Sequence, residues 1–192
     1  MSNKNKKITR DDAENAIRTL IQWAGDDATR SGVVDTPSRV ADAYQEWFAG
    51  YDMDIDEILN KNFDDIDNYH TPILLKNIPF HSHCEHHFAP IIGTVCVEYM
   101  PNKKVLGISK LARLVHAFAL RLQVQERMTV QIAEALQSSP AVRGAAVMVN
   151  AQHQCMTTRG VHTHGTDMVT YHFTGDYVTD KDLQKSFFLR IK

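Results

Sequence analysis

The sequence predicts an α+β protein, an antiparallel sheet with two packed helices, preceded by a helical segment. Three observations carry this. Before Tyr69 the apolar residues recur at helical spacing. After Tyr69, runs rich in β-branched and aromatic residues flank two amphipathic helical stretches. Their order is strand–strand–helix–helix–strand–strand, which favours helices segregated onto an antiparallel sheet. The expected division is a helical segment over 1–69 and a sheet domain over 70–192, a chain of 192 residues in all.

Each element follows from local chemistry. Thr9 with Asp12 three residues on is a capping signal, and Ala13, Ala16, Ile17, Leu20, Ile21 and Ala24 make one helical face. Thr36 is expected to cap the next helix, with Pro37 at a first-turn position that needs no N–H. Val40, Ala41, Tyr44, Trp47 and Phe48 form its apolar face and Gly50 ends it. A short amphipathic piece lies near Ile55 to Leu59. Strands are expected over Pro72 to Phe80 and Ile91 to Tyr99, with a turn at Met100-Pro101-Asn102-Lys103. Ser109 is expected to cap a helix whose Leu111, Leu114, Val115, Phe118, Ala119 and Leu122 face a core. A second helix spans about Gln125 to Gln137 and buries Met128, Ile132 and Leu136. Strands from Ala145 to Cys155 and Met168 to Thr174 follow, then a helix from Asp180 to Ile191.

Composition narrows the function classes. The net charge of -2 argues against a nucleic-acid or membrane partner recognised by bulk charge, and a hydrophobic content of 43% suffices for a core. No apolar run approaches the roughly 18–20 residues of a membrane span. No apolar segment follows Met1-Ser2-Asn3-Lys4-Asn5-Lys6-Lys7, so no signal peptide is expected. Three cysteines in such a chain favour free thiols or metal ligands over a disulfide framework. The expectation is a cytoplasmic protein.

The chemistry concentrates in His81-Ser82-His83-Cys84-Glu85-His86-His87, answered by His153-Gln154-Cys155. Zinc favours thiolate and imidazole, and a catalytic zinc takes three protein ligands and keeps one position for water. Cys84, His87 and Cys155 would make that set, leaving His86 and His153 beside the metal to move protons. A structural zinc closed by a fourth ligand from His83, His86 or His153 is the alternative. The surplus of histidines tilts the balance toward catalysis. Cys96 sits between apolar neighbours and is expected in the core, while His70, His116 and His172 are expected to be ordinary surface residues.

Ser109, Lys110 and Arg113 cluster at a helix start, which suits an anion. A solvated helix face with a capping serine would look the same. Gln125-Glu126 offers donors and acceptors for an amidine-like edge such as that of guanine. Neither G-x-x-x-x-G-K-[ST] nor G-x-G-x-x-G is present, so a bound nucleotide would be held by side chains and helix starts.

Cys84-Glu85-His86-His87, Gly107-Ile108-Ser109-Lys110, Gln123-Val124-Gln125-Glu126-Arg127 and His153-Gln154-Cys155-Met156 with Arg159-Gly160 together resemble the GTP cyclohydrolase I family. The likeness runs from about Asp35 to the C-terminus. It implies the tunnelling fold in a toroidal homodecamer with active sites between subunits. It implies GTP as substrate, losing guanine C8 as formate to give 7,8-dihydroneopterin triphosphate, the entry step to tetrahydrofolate and other pterins. Zn2+ would sit on Cys84, His87 and Cys155 and acidify its water. His153 would protonate N7 and His86 would carry protons in the later steps. Glu126, with Gln125 beside it, would grip the guanine edge. Ser109, Lys110, Arg113 and Arg159 would hold ribose and triphosphate, and Arg39 would reach the phosphates. Glu85 receives no chemical role, only loop orientation. The stretch from Val161 to Tyr177 matches the family more loosely, and His81, His83, His162 and His164 exceed what the signature requires.

Overall fold

The computed structural model describes residues 7–60, 62–63 and 69–192, with residues 62–63 described in backbone only. The N-terminal stretch up to Lys6, expected to lack a signal segment, lies outside them. Two compact units emerge, Met1–Phe48 and Ala49–Lys192.

The first unit is a pair of helices. Helix α1 (Arg10–Trp23) opens on the expected capping box: Thr9 Oγ1 accepts from the Asp12 N–H and the Asp12 carboxylate accepts from the Thr9 N–H. Helix α2 (Thr36–Trp47) begins one residue earlier than expected. Asp35 occupies the N-cap with helical φ/ψ, so Thr36 is already in the helix and does not cap, and Pro37 stands at its second position. Gly50 does not end α2 directly, since the helix closes at Trp47 and Gly50 lies in a 3-10 turn, Ala49–Asp52, of the second unit.

The second unit bears out the α+β class. After helix α3 (Ile55–Leu59), short strand β1 (Asn62–Phe63) pairs with β4 (Val105–Leu106). The main sheet has five strands in the order β5-β2-β3-β6-β7. Strands β2 (Ile73–Cys84), β3 (Pro90–Pro101), β6 (Val142–His153) and β7 (Met168–Phe173) are antiparallel neighbours. The two-residue β5 (Leu122–Gln123) adds a parallel edge against the end of β2, and sequence reasoning missed it because two residues carry no periodicity.

Helices α4 (Ile108–Ala119) and α5 (Gln125–Ser138) cover one face. Leu111, Leu114, Val115 and Phe118 of α4 and Met128, Ile132 and Leu136 of α5 pack on Val95, Val97, Tyr99, Val147 and Val149, the period-2 inner face of β3 and β6. Ser109 does not cap α4: extended Gly107 is the N-cap, and Ser109 lies inside the first turn without a capping bond. On the opposite face, Met100 and Ala146 meet Tyr177 of α7 (Asp176–Thr179) and Phe187 of α8 (Lys181–Arg190). Cys96 is buried, as expected for a core residue. No helix among the described residues is long and apolar enough to cross a membrane.

Register decides where chemistry can occur. His83 of β2 opposes Pro90, and His153 of β6 opposes Ile91. The C-terminal ends of β2 and β6 therefore meet at the start of β3. Strand β5 pairs with the same end of β2 and leads directly into α5, so Gln125 and Glu126 arrive there too.

Candidate active site

Cys84 is the last residue of β2 and is buried. β2 runs four residues beyond its expected end at Phe80, because pairing with β3 persists to His83. The chain then turns sharply. The His87 and Phe88 amides both donate to the Cys84 carbonyl, and the Cys84 amide donates to Ala89 O at 2.8 Å. Phe88 takes a left-handed φ of 55° to close this turn. The Glu85 amide donates to Gln123 O at 3.1 Å, which pins the turn to β5. From the other side, β6 ends at His153 and Cys155 sits in the single helical turn α6 (Gln154–Thr157), just past the strand that was expected to carry it.

These two chain ends bring Cys84, His87 and Cys155 together, with their ligand atoms all within 4.8 Å of one another. Ligands on a tetrahedral zinc at bond lengths of 2.0–2.3 Å stand about 3.3–3.8 Å apart. The Cys84 Sγ to His87 Nδ1 separation is 3.9 Å, close to that spacing. Two thiols and an imidazole are the donors zinc prefers, and the residues fit the ion. Among the described residues no fourth His, Cys, Asp or Glu joins the group. Burial pushes the Cys155 thiol up, and the neighbouring Cys84 adds to the shift.

Two further histidines stand beside the group. His86 Nδ1 lies 3.7 Å from Cys84 Sγ, and its side chain is largely exposed. His153 is half-buried, and desolvation holds its pKa down against the opposing pull of Glu126. Its Nε2 lies 2.8 Å from Oε1 of Gln125. A pocket of about 280 Å³ borders His153 together with Met156, Thr157, Thr163, Asp167 and Met168. Arg159 places Nη1 2.9 Å from Nε2 of His87, on the ring edge away from Cys84.

The remaining candidates are distributed. Glu126 is exposed at the first turn of α5, whereas Gln125 is buried and fully engaged by the protein. Lys110 and Arg113 line a different cleft of about 400 Å³ with Asp52, Asp54 and Glu57. That cleft shares no residue with the pocket at His153. Ser109 is exposed on α4. Arg39 belongs to the first unit, where it pairs with Asp35 at 3.2 Å.

One contributor escaped sequence reasoning. Arg127 is ion-paired to Glu85 in the metal-site turn and reaches Gln123 Oε1 at 3.4 Å. The signal was present in the i, i+4 spacing of Gln123 and Arg127, but Glu85 lies 42 residues away. Arg127 also holds the Glu85 carboxyl below its usual range.

The sheet and site together define an α+β protein with a Cys–His–Cys group able to hold a metal, at the shared end of the two strands that flank β3. A family model described as GTP cyclohydrolase I matches residues 13–192. A GTP cyclohydrolase 1 of Maricaulis maris is 54% identical over 183 residues, covering 95% of this chain and 89% of the relative. Another from Allorhizobium ampelinum is 47% identical, covering 100% and 96%. One from Hyphomonas neptunium is 50% identical, covering 95% and 88%. The chain belongs to the GTP cyclohydrolase I family. Its antiparallel sheet with two helices on one face is the α+β arrangement expected from the sequence.

Proposed function

We propose that this chain is a zinc-dependent GTP cyclohydrolase I, which opens the imidazole ring of GTP, releases C8 as formate and forms 7,8-dihydroneopterin triphosphate. The observation that carries this reading is the convergence of Cys84, His87 and Cys155 with His153 at one end of the sheet, in a chain of this family. Zinc held by those three residues would supply Lewis-acid activation of water at neutral pH.

The chain's own residues supply the rest. His153, beside the metal group and bordering a pocket, gives a proton to guanine N7, which makes C8 electrophilic. Its depressed pKa means that the proton leaves readily once N7 is in place. His86 is exposed enough to exchange protons with solvent and serves ring opening and the later sugar rearrangement. Glu126 accepts from the N1–N2 edge of guanine at the start of α5. Ser109, Lys110, Arg113 and Arg159 hold ribose and triphosphate, the cations offsetting the phosphate charge, and Arg39 reaches the phosphates.

Lys110 and Arg113 open into a cleft separate from the pocket at His153. That separation supports a site completed by a second copy of the chain, as in the homodecamer the family resemblance implies. The three carboxylates beside Lys110 and Arg113 would keep that cleft unattractive to an anion until another copy's groups arrive. Entry to tetrahydrofolate-type pterins, in the cytoplasm, is the corresponding cellular role.

Incubation with GTP tests the reading. Formate and, after oxidation, fluorescent neopterin should appear in equal amounts and vanish with a chelator. Unfolding on chelation, with GTP untouched by the metal-loaded protein, would instead establish a structural zinc.

A further inference from the structure

Gln125 is fully buried at the first position of α5, and both ends of its side-chain amide are bonded inside the protein. Its Nε2 faces Val149 O at 3.2 Å, Met168 O at 2.9 Å and Thr170 Oγ1 at 3.2 Å. Its Oε1 faces His153 Nε2 at 2.8 Å. Backbone carbonyls only accept, so the end of the amide facing Val149 and Met168 must be the NH2. The end facing His153 is then the carbonyl, which also only accepts. The ring nitrogen opposite it must therefore carry hydrogen.

Two threonines lock the arrangement. Thr129 Oγ1 donates to the backbone carbonyl of Gln125 at 2.7 Å, so its oxygen must accept from Thr170, 2.7 Å away. Thr170 thereby spends its proton and can only accept from the Gln125 amide. Every hydrogen bond in the cluster has one consistent direction, and reversing the amide would break at least two of them.

Resting on the cyclohydrolase reading, we propose that Gln125 is a positioning residue that holds His153 as its Nε2–H form, so that Nδ1 is the nitrogen presented to the substrate. In the proton-transfer step the imidazolium keeps Nε2–H in the bond to Gln125. The Nδ1–H bond breaks, its electron pair stays on Nδ1, and a new N7–H bond forms on guanine. The ring is left as the Nε2–H tautomer that Gln125 already selects, so the bond to Gln125 persists through the step. Gln125 acts on the reaction through His153 and need not touch the base.

Gln125→Met keeps much of the shape and removes the amide, and Thr170→Val removes one hydrogen bond to it. The expected result for Gln125→Met is loss of kcat by about 100-fold, the size of a modest misplacement of a reacting group. KM for GTP and bound zinc should stay at the wild-type level. Thr170→Val should show a smaller loss of the same kind. A raised KM with kcat retained would overturn the proposal and make Gln125 a guanine contact. Histidine 15N resonances of the wild-type enzyme, assigned by their disappearance in His153→Gln, test the tautomer without GTP. Hydrogen on Nε2 in the neutral ring is the expected result, and hydrogen on Nδ1 would overturn the proposal. A wild-type protein that leaves GTP unchanged would sink the cyclohydrolase reading alone, because the tautomer is read independently of turnover.

Discussion

Arg127 of α5 is ion-paired to Glu85, the residue that follows Cys84 in the turn that carries two of the three candidate metal ligands. The pair ties the turn to the helix that also carries Gln125 and Glu126. Both side chains are partly exposed, so the pair adds little to global stability. Its effect should fall on the site. Arg127→Ala should leave the melting temperature nearly unchanged and weaken zinc binding by no more than about 10-fold, the low end of the ~10–100-fold cost of removing a ligand's own partner, because Arg127 holds Glu85 and not a ligand. Competition with a chromophoric chelator, alongside thermal melting, measures both. Unchanged zinc affinity would show that the turn is held by its backbone bonds alone.

Substitution should separate metal from proton transfer. Cys155→Ala should lose zinc and GTP turnover together. His153→Ala should keep its zinc and lose ring opening, because its ring is outside the converging ligand set. Metal analysis beside formate release distinguishes the two. A fully active His153→Ala enzyme would remove the proton-donor assignment.

Metal loading should depend on pH with a definite sign. Burial and the neighbouring Cys84 raise the Cys155 thiol, so without metal it keeps its proton at neutral pH. Zinc must displace that proton, and affinity should therefore rise with pH. Zinc titrations at pH 6.5 and pH 8 should show tighter binding at the higher value, with protons released at both. Equal affinities at both would mean that the thiols are already ionised.

A second charged cluster lies far from the ligands in sequence and governs stability. Glu98 is fully buried in β3, where it accepts from Tyr177 Oη at 2.6 Å and from Arg190 Nε at 2.8 Å. Arg190→Met would leave a buried carboxylate with Tyr177 alone and should cost roughly 3 kcal/mol, the low end for breaking a buried pair, because Arg190 is partly exposed. Burial and the Glu98 hydrogen bond raise the Tyr177 pKa well above its ordinary value. A raised pKa means that this stabilisation is complete below about pH 10, the unfolded tyrosine value, and fades as pH rises beyond it. Urea unfolding at pH 8 and above pH 10 should show a steeper alkaline loss in the wild type than in Tyr177→Phe. Equal slopes would contradict the buried hydrogen bond.

Much of this architecture was legible because local chemistry dictates it. The Thr9–Asp12 cap, the alternating faces of β3 and β6 and the Cys84, His87 and Cys155 ligand types are written in short windows of sequence. Ser109 was misread as a cap because serine at a helix start is usually one, yet extended Gly107 took that place. Thr36 misled in the same way beside Asp35. The contacts of the Gln125 side chain lie 24 to 45 residues away. Partners at that separation leave no local pattern. The same holds for Glu98, whose partners are 79 and 92 residues downstream.

The most direct test is a zinc titration of metal-free enzyme in the presence of GTP, with formate release and bound metal measured in each sample. Turnover should be absent without zinc and should rise in proportion to occupancy, saturating near one zinc per chain. Formate release that persists in the metal-free protein, or a Cys155→Ala enzyme that turns over GTP, would contradict the assignment of the Cys84, His87 and Cys155 group as the centre of the reaction.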